Sequence, residues 1–151
     1  MLPLIVANVA IDIWKINSDK QDKRIQDALR IMRHVLETRK DVPNVMYRNN
    51  IGVIGFRYGA HYPATKTRKR SGYGLAHIVG SAKEDFGKYE GSPAPEDVLK
   101  IIPETILEGT ISRSHKRRLQ IMHKGYLVLI DKGGKSPKAP RWVFHAYKLY
   151  K

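Results

Sequence analysis

Along residues 19–39 the apolar positions Ile25, Ala28, Leu29, Met32, Val35 and Leu36 fall three and four apart, which predicts a helix with one buried stripe. Ser18-Asp-Lys-Gln21 reads as its capping box, with Ser18 as N-cap and Gln21 reaching back. Met32 is a core filler in that stripe, and His34 lies off it and reads as surface. The helical period returns at Leu75, Ile78, Val79, Ala82 and Phe86, predicting a helix from Leu75 to about Phe86. It returns again at Val98, Leu99, Ile102 and Ile106. That helix is expected to open at Ser92-Pro-Ala-Pro-Glu96, to be kinked or split by Pro103, and to stop at a C-capping Gly109.

After Gly109 the period becomes two. Thr110 to Arg113, Leu119 to His123, Tyr126 to Ile130 and Arg141 to Tyr150 read as strands, with Lys124-Gly125 as a tight turn. Gly133-Gly134 and Pro137 to Pro140 are expected to form a mobile loop. Earlier, Ile51 to Arg57 alternates apolar and small residues and reads as a strand. It is preceded by turn chemistry at Asp41 to Asn44 and Arg48 to Asn50, and followed by a basic loop from Tyr58 to Gly74. The apolar start, Met1 to Ala10, is too short to span a bilayer and makes a poor signal peptide, so a core strand or packed arm is expected there. Helices followed by an antiparallel meander predict an α+β fold, and 151 residues suit one domain, with 1–50 as arm and helix and 51–151 as the functional core.

Charge changes this picture more than overall composition does. The net charge is +14, but residues 76–109 hold seven acidic residues against three basic ones. Residues 57–75 hold five basic residues and no acidic one, and residues 110–151 hold eleven basic residues against Asp131 alone. Such clustering predicts a face that binds a polyanion. No basic amphipathic helix with exposed aromatics is evident, so a membrane surface is not the expected partner. The absence of cysteine excludes disulfides and thiolate chemistry and fits action in the cytoplasm.

Six histidines are present, with no HExxH motif, no i, i+4 pair and no paired carboxylates beside them, so no metal site and no cofactor are expected. A serine triad needs an acid to orient its histidine, and the basic C-terminal half offers only Asp131. Metal-free phosphoryl chemistry remains. Cleaving RNA that way takes a base for the 2′-hydroxyl proton, an acid for the leaving 5′-oxygen, and cations for the phosphorane. Histidine, with a pKa of ~6.5, serves as either acid or base. His77 opens a helix after the glycine-broken stretch Ser71-Gly-Tyr-Gly74. In the last strand, parity puts Arg141, Val143, His145 and Tyr147 on one face and the apolar Trp142, Phe144 and Ala146 on the other, expected to be the core face.

Gly74-Leu-Ala-His-Ile78, the run from Val98 to Gly109, and Arg141-Trp-Val-Phe-His-Ala-Tyr147 occur in an order that resembles the phage- and toxin-associated branch of the barnase–EndoU–colicin–RelE-like nucleases. The resemblance covers about residues 51–150. It implies helices packed on a four-stranded antiparallel sheet and metal-independent RNA cleavage. It puts His77 at the family's helix histidine, Tyr147 at its aromatic position, and His145 where a serine or threonine is usual. The expected catalytic group is His77, His145, Tyr147 and Arg118. Arg113, Arg117, Lys124, Arg141, His61, Arg68 and Arg70 are expected to bind RNA phosphate. The expected partners are RNA, tRNA above all, and an acidic immunity protein.

Overall fold

A computed structural model describes residues 2–87, 95–133 and 139–149, with side chains placed from Lys20 onward and, in the second stretch, from Asp97. The first helix, α1 (Leu2–Thr38), runs straight through the segment expected to be an arm or strand. Position 18 therefore lies inside the helix and not at its start. Gln21 does not reach back but donates from Nε2 to Glu108 Oε1 at 3.0 Å. The predicted stripe is real: Ile25, Ala28, Leu29, Met32 and Val35 are all buried. The helix stops where Arg39 turns left-handed (φ 58) and its N–H closes onto the Val35 carbonyl at 2.8 Å.

Of the residues read as a turn at 41–44, Val42 to Asn44 belong to β1 (Val42–Arg48), antiparallel to β2 (Gly52–Phe56). The turn chemistry is spent on an irregularity between Val42 and Met46, where Asn44 takes φ 58. The basic loop contains a small two-stranded sheet, β3 (Ala60–Tyr62) with β4 (Ser71–Tyr73), in which His61 faces Gly72. Two short helices follow instead of one, α2 (Gly74–Gly80) and α3 (Ala82–Asp85). Helix α4 (Pro95–Glu108) carries Pro103 inside one continuous element; its expected opening at Ser92 to Ala94 lies outside the described residues. Gly109 ends it with its N–H on the Thr105 carbonyl at 2.8 Å.

Strands β5 (Thr110–Ser114), β6 (Arg118–His123), β7 (Tyr126–Asp131) and β8 (Arg141–Lys148) form the expected antiparallel meander. The Lys124-Gly125 turn joins β6 to β7, with His123 opposite Tyr126 and both turn residues at positive φ. The sheet is larger than four strands and it is mixed. Its order is β1-β2-β8-β7-β6-β5, because β2 adds parallel to the start of β8 through Ile54 with Arg141 and Gly55 with Trp142. Of the loop expected before β8, residues 134–138 lie outside the described residues.

The core lies on one face of this sheet. Leu119, Ile121, Val128, Ile130, Val143 and Ala146 are buried there with the stripes of α1 and α4 and with Leu75 and Ile78 of α2. A register shift in β8 corrects the parity reading: Leu129 pairs with His145 but Ile130 pairs with Val143, leaving Phe144 as the extra residue. Odd Val143 and even Ala146 thus share the core face. His145 and Tyr147 fall on the opposite face, and Trp142 and Phe144 are only half-buried. Among the described residues no helix is long and apolar enough to cross a membrane.

Candidate active site

The first residues of β8 pair with β2, and α2 and α3 pack against the strand as well. A seven-residue helix is not stable alone. Burying Leu75 and Ile78, both at 0% exposure, holds α2 down, worth about 1.5–3 kcal/mol for each side chain. Its first amides are not capped by a side chain. Leu75 N–H and Ala76 N–H donate to the carbonyls of Arg57 and Tyr58, at 2.9 and 2.8 Å, where the chain leaves β2. Gly74, at φ +74, makes the sharp entry from β4 into this helix. These contacts set His77 beside the second half of β8.

Three imidazoles meet there. The His77 and His145 ring centroids are 4.7 Å apart, and His77 Nδ1 lies 3.0 Å from His61 Nδ1. Ser81 Oγ, fully buried one turn further along, is 3.3 Å from the same His77 nitrogen. Tyr147 continues the line, its ring 5.5 Å from that of His145. Behind the imidazoles stands an ion pair: Arg70 Nη2 donates to Asp85 Oδ1 at 2.9 Å, with Glu84 Oε2 3.5 Å from Arg70 Nη1. Asp85 Oδ2 is 3.3 Å from His145 Nε2 but out of line for a hydrogen bond. Three buried polar atoms of this group, Arg70 Nη1, Asp85 Oδ2 and His145 Nδ1, have no hydrogen-bond partner in the protein. Buried polar atoms without a partner are few in folded proteins, and a water, an ion or a ligand group can satisfy them.

Burial dominates the titration of both central histidines. It pushes His145 down to about 4; the Asp85 carboxylate opposes the shift, while His77 and Arg70 add to it. His77 is lowered by burial first, then by His61 and Arg70, with Asp85 opposing. Near neutral pH both rings are therefore uncharged in the free protein. Negative charge placed beside the rings would oppose this shift, because it favours an imidazolium.

The expected site residues divide into two groups. His77, His145, Tyr147, His61 and Arg70 are brought together. Arg118 shares the face of His145 two cross-strand rows away, in the row Arg118, Asp131, Trp142. There its guanidinium lies 3.8 Å over the Phe144 ring and 3.6 Å from Asp131. Arg113 ends the row that runs through Gln120 and Leu129 to His145, three strands away, roughly 14 Å at ~4.8 Å per strand. Arg117 precedes β6, Lys124 sits in the β6–β7 turn, Arg141 opens β8, and Arg68 lies in the exposed loop before β4. None of these six touches the imidazoles among the described residues. Asp85 and Ser81 were not foreseen. The signal for Asp85 was an acidic pair, Glu84 and Asp85, directly ahead of the stripe residue Phe86. Among the described residues no three His, Asp or Glu side chains converge as metal ligands.

The model of one protein family, described as phage-Barnase-EndoU-ColicinE5/D-RelE like nuclease1, matches residues 45–151. Comparison with curated proteins and with solved structures found no match.

Proposed function

The chain belongs to the phage Barnase-EndoU-ColicinE5/D-RelE-like nuclease family, and from that premise we propose that it is a metal-independent endoribonuclease in which His77 and His145 are the acid–base pair. A nuclease domain acts on nucleic acid. The finer reading is that one imidazole takes the 2′-hydroxyl proton while the other protonates the departing 5′-oxygen, leaving a 2′,3′-cyclic phosphate and a 5′-hydroxyl. Arg70, held by Asp85, supplies positive charge to the phosphorane, and Tyr147 positions the phosphate. DNA lacks the attacking hydroxyl and would be bound without being cut.

The observation that carries this reading is the meeting of His77 and His145, 68 positions apart in the chain, with ring centroids 4.7 Å apart. The net charge of +14 supports a polyanionic substrate. We further propose a toxin acting on cytoplasmic RNA, with tRNA as the favoured target and an acidic immunity protein as its antidote, bound in a salt-sensitive way. The decisive variants are His77→Ala and His145→Ala, assayed on tRNA in EDTA. Each is expected to lower cleavage by about 10²-fold or more. Wild-type cleavage in either variant removes that residue from the mechanism. Intact RNA that the wild-type chain nonetheless binds tightly and salt-sensitively would make this a nucleic-acid-binding module instead.

A further inference from the structure

Resting on the ribonuclease reading, we infer that His61 is a positioning residue that holds His77 by its Nδ1 and relays the proton of that nitrogen to solvent. Two ring nitrogens 3.0 Å apart cannot both carry hydrogen and cannot both be bare. One proton lies between them, and it has two homes. When it sits on His77 Nδ1, the Nε2 of His77 is bare and the ring is a base. When it sits on His61 Nδ1, the Nε2 of His77 carries hydrogen and the ring is an acid. Ser81 Oγ, 3.3 Å from His77 Nδ1, can rotate its hydroxyl to suit either arrangement.

The seat for this pair is cleared by two glycines. A Cβ on Gly80 would stand 2.4 Å from His61 Cδ2, and one on Gly72 would stand 2.8 Å from His77 Nδ1. The β3–β4 pairing sets His61 directly opposite Gly72, which lays the imidazole across the helix that carries His77. His61 also lines an open cavity of about 490 Å³ with Pro63, Ala64, Arg70, Gly80 and Glu84, so its ring has a route to water.

The proton count balances. A 2′-hydroxyl proton moves to His77 Nε2, the proton on His77 Nδ1 moves to His61 Nδ1, and His61 Nε2 gives its own proton to water in the cavity. The reverse sequence restores the base form. The charged and titratable groups facing this pair are Arg70 ahead of β4, Glu84 and Asp85 on α3, and His145 and Tyr147 on β8.

The test combines single-turnover cleavage of a short RNA across pH with ring nitrogen NMR of His77 in the absence of RNA. His61→Asn keeps an amide where Nδ1 stood but cannot pass a proton through. At saturating RNA it is expected to cleave about tenfold more slowly or worse. His61→Ala should lose more and regain part of it with added imidazole. Gly80→Ala, whose methyl takes the place of the ring, should behave like His61→Ala without altering a titratable group. In both His61 variants the His77 titration should move to higher pH, since the interaction with His61 is one of the causes that lower it. Wild-type rate and pH profile in His61→Ala overturns the relay, whatever the NMR shows. A wild-type chain that cleaves no RNA overturns the nuclease reading and the relay with it; an active wild type with indifferent His61 variants overturns the relay alone.

Discussion

His145 should make this protein acid-sensitive in a way that one substitution removes. Burial beside β7 and α3 holds its imidazole at about 4, against an ordinary value near 6.5 in the unfolded chain. Because the folded value is depressed, protons bind the unfolded chain more tightly. The stability from a neutral His145 is whole above pH ~6.5 and is lost as pH falls from there through about 4. Full protonation in the unfolded state costs about 3 kcal/mol, of which about 2 kcal/mol is gone by pH 5. His77 is shifted in the same direction and adds to the effect. Urea unfolding at pH 7 and pH 5, at constant ionic strength, measures it. His145→Gln fills much of the same space with a group that never ionises, so its loss between those two pH values should be smaller than the wild type's by about 2 kcal/mol. Equal losses in the two proteins, within about 0.5 kcal/mol, would refute the claim that this ring is buried neutral.

Two further changes probe the site and its scaffold. Asp85→Asn removes the carboxylate that opposes the downward shift of both imidazoles, so the acid limb of the rate profile for RNA cleavage should move to lower pH and the rate near neutrality should fall; a profile at its original position would mean that Asp85 does not act on the pair. Gly109→Ala should lower stability by about 1–3 kcal/mol in thermal or urea unfolding, since its Cβ would stand 2.4 Å from the Thr105 carbonyl oxygen and 2.8 Å from that of Met122, neither of which can swing away as a side chain does.

How much of this was legible in the chain follows from the range of the forces involved. The stripe from Ile25 to Val35, the β6–β7 hairpin through Lys124-Gly125 and the strand expected from Thr110 to Arg113 are local patterns, and the structure keeps them. Residues 41–44 misled because proline and asparagine serve a bulge as readily as a turn. The parity of β8 failed at one residue: Phe144 is inserted opposite the Leu129–Ile130 step, and every face assignment on one side of it is reversed. The parallel pairing of β2 with β8 joins positions 54 and 141 and leaves no local signature. His77 and His145 were visible because imidazole is scarce and sits in recognisable surroundings. Asp85 was hidden because a Lys-Glu-Asp run on a helix reads as a solvated face, and only the fold turns it towards Arg70 and His145. Most of the expected phosphate-binding cations come from turns and strand ends, whose distance from the imidazoles is set by strand order and register.

The account stands most directly on the ends left in RNA. Purified protein incubated with tRNA in EDTA should yield fragments carrying a 2′,3′-cyclic phosphate on one side of each cut and a 5′-hydroxyl on the other, and substituting His77 or His145 should abolish both. Fragments with a 3′-hydroxyl and a 5′-phosphate, or cleavage that stops on chelation, would contradict it.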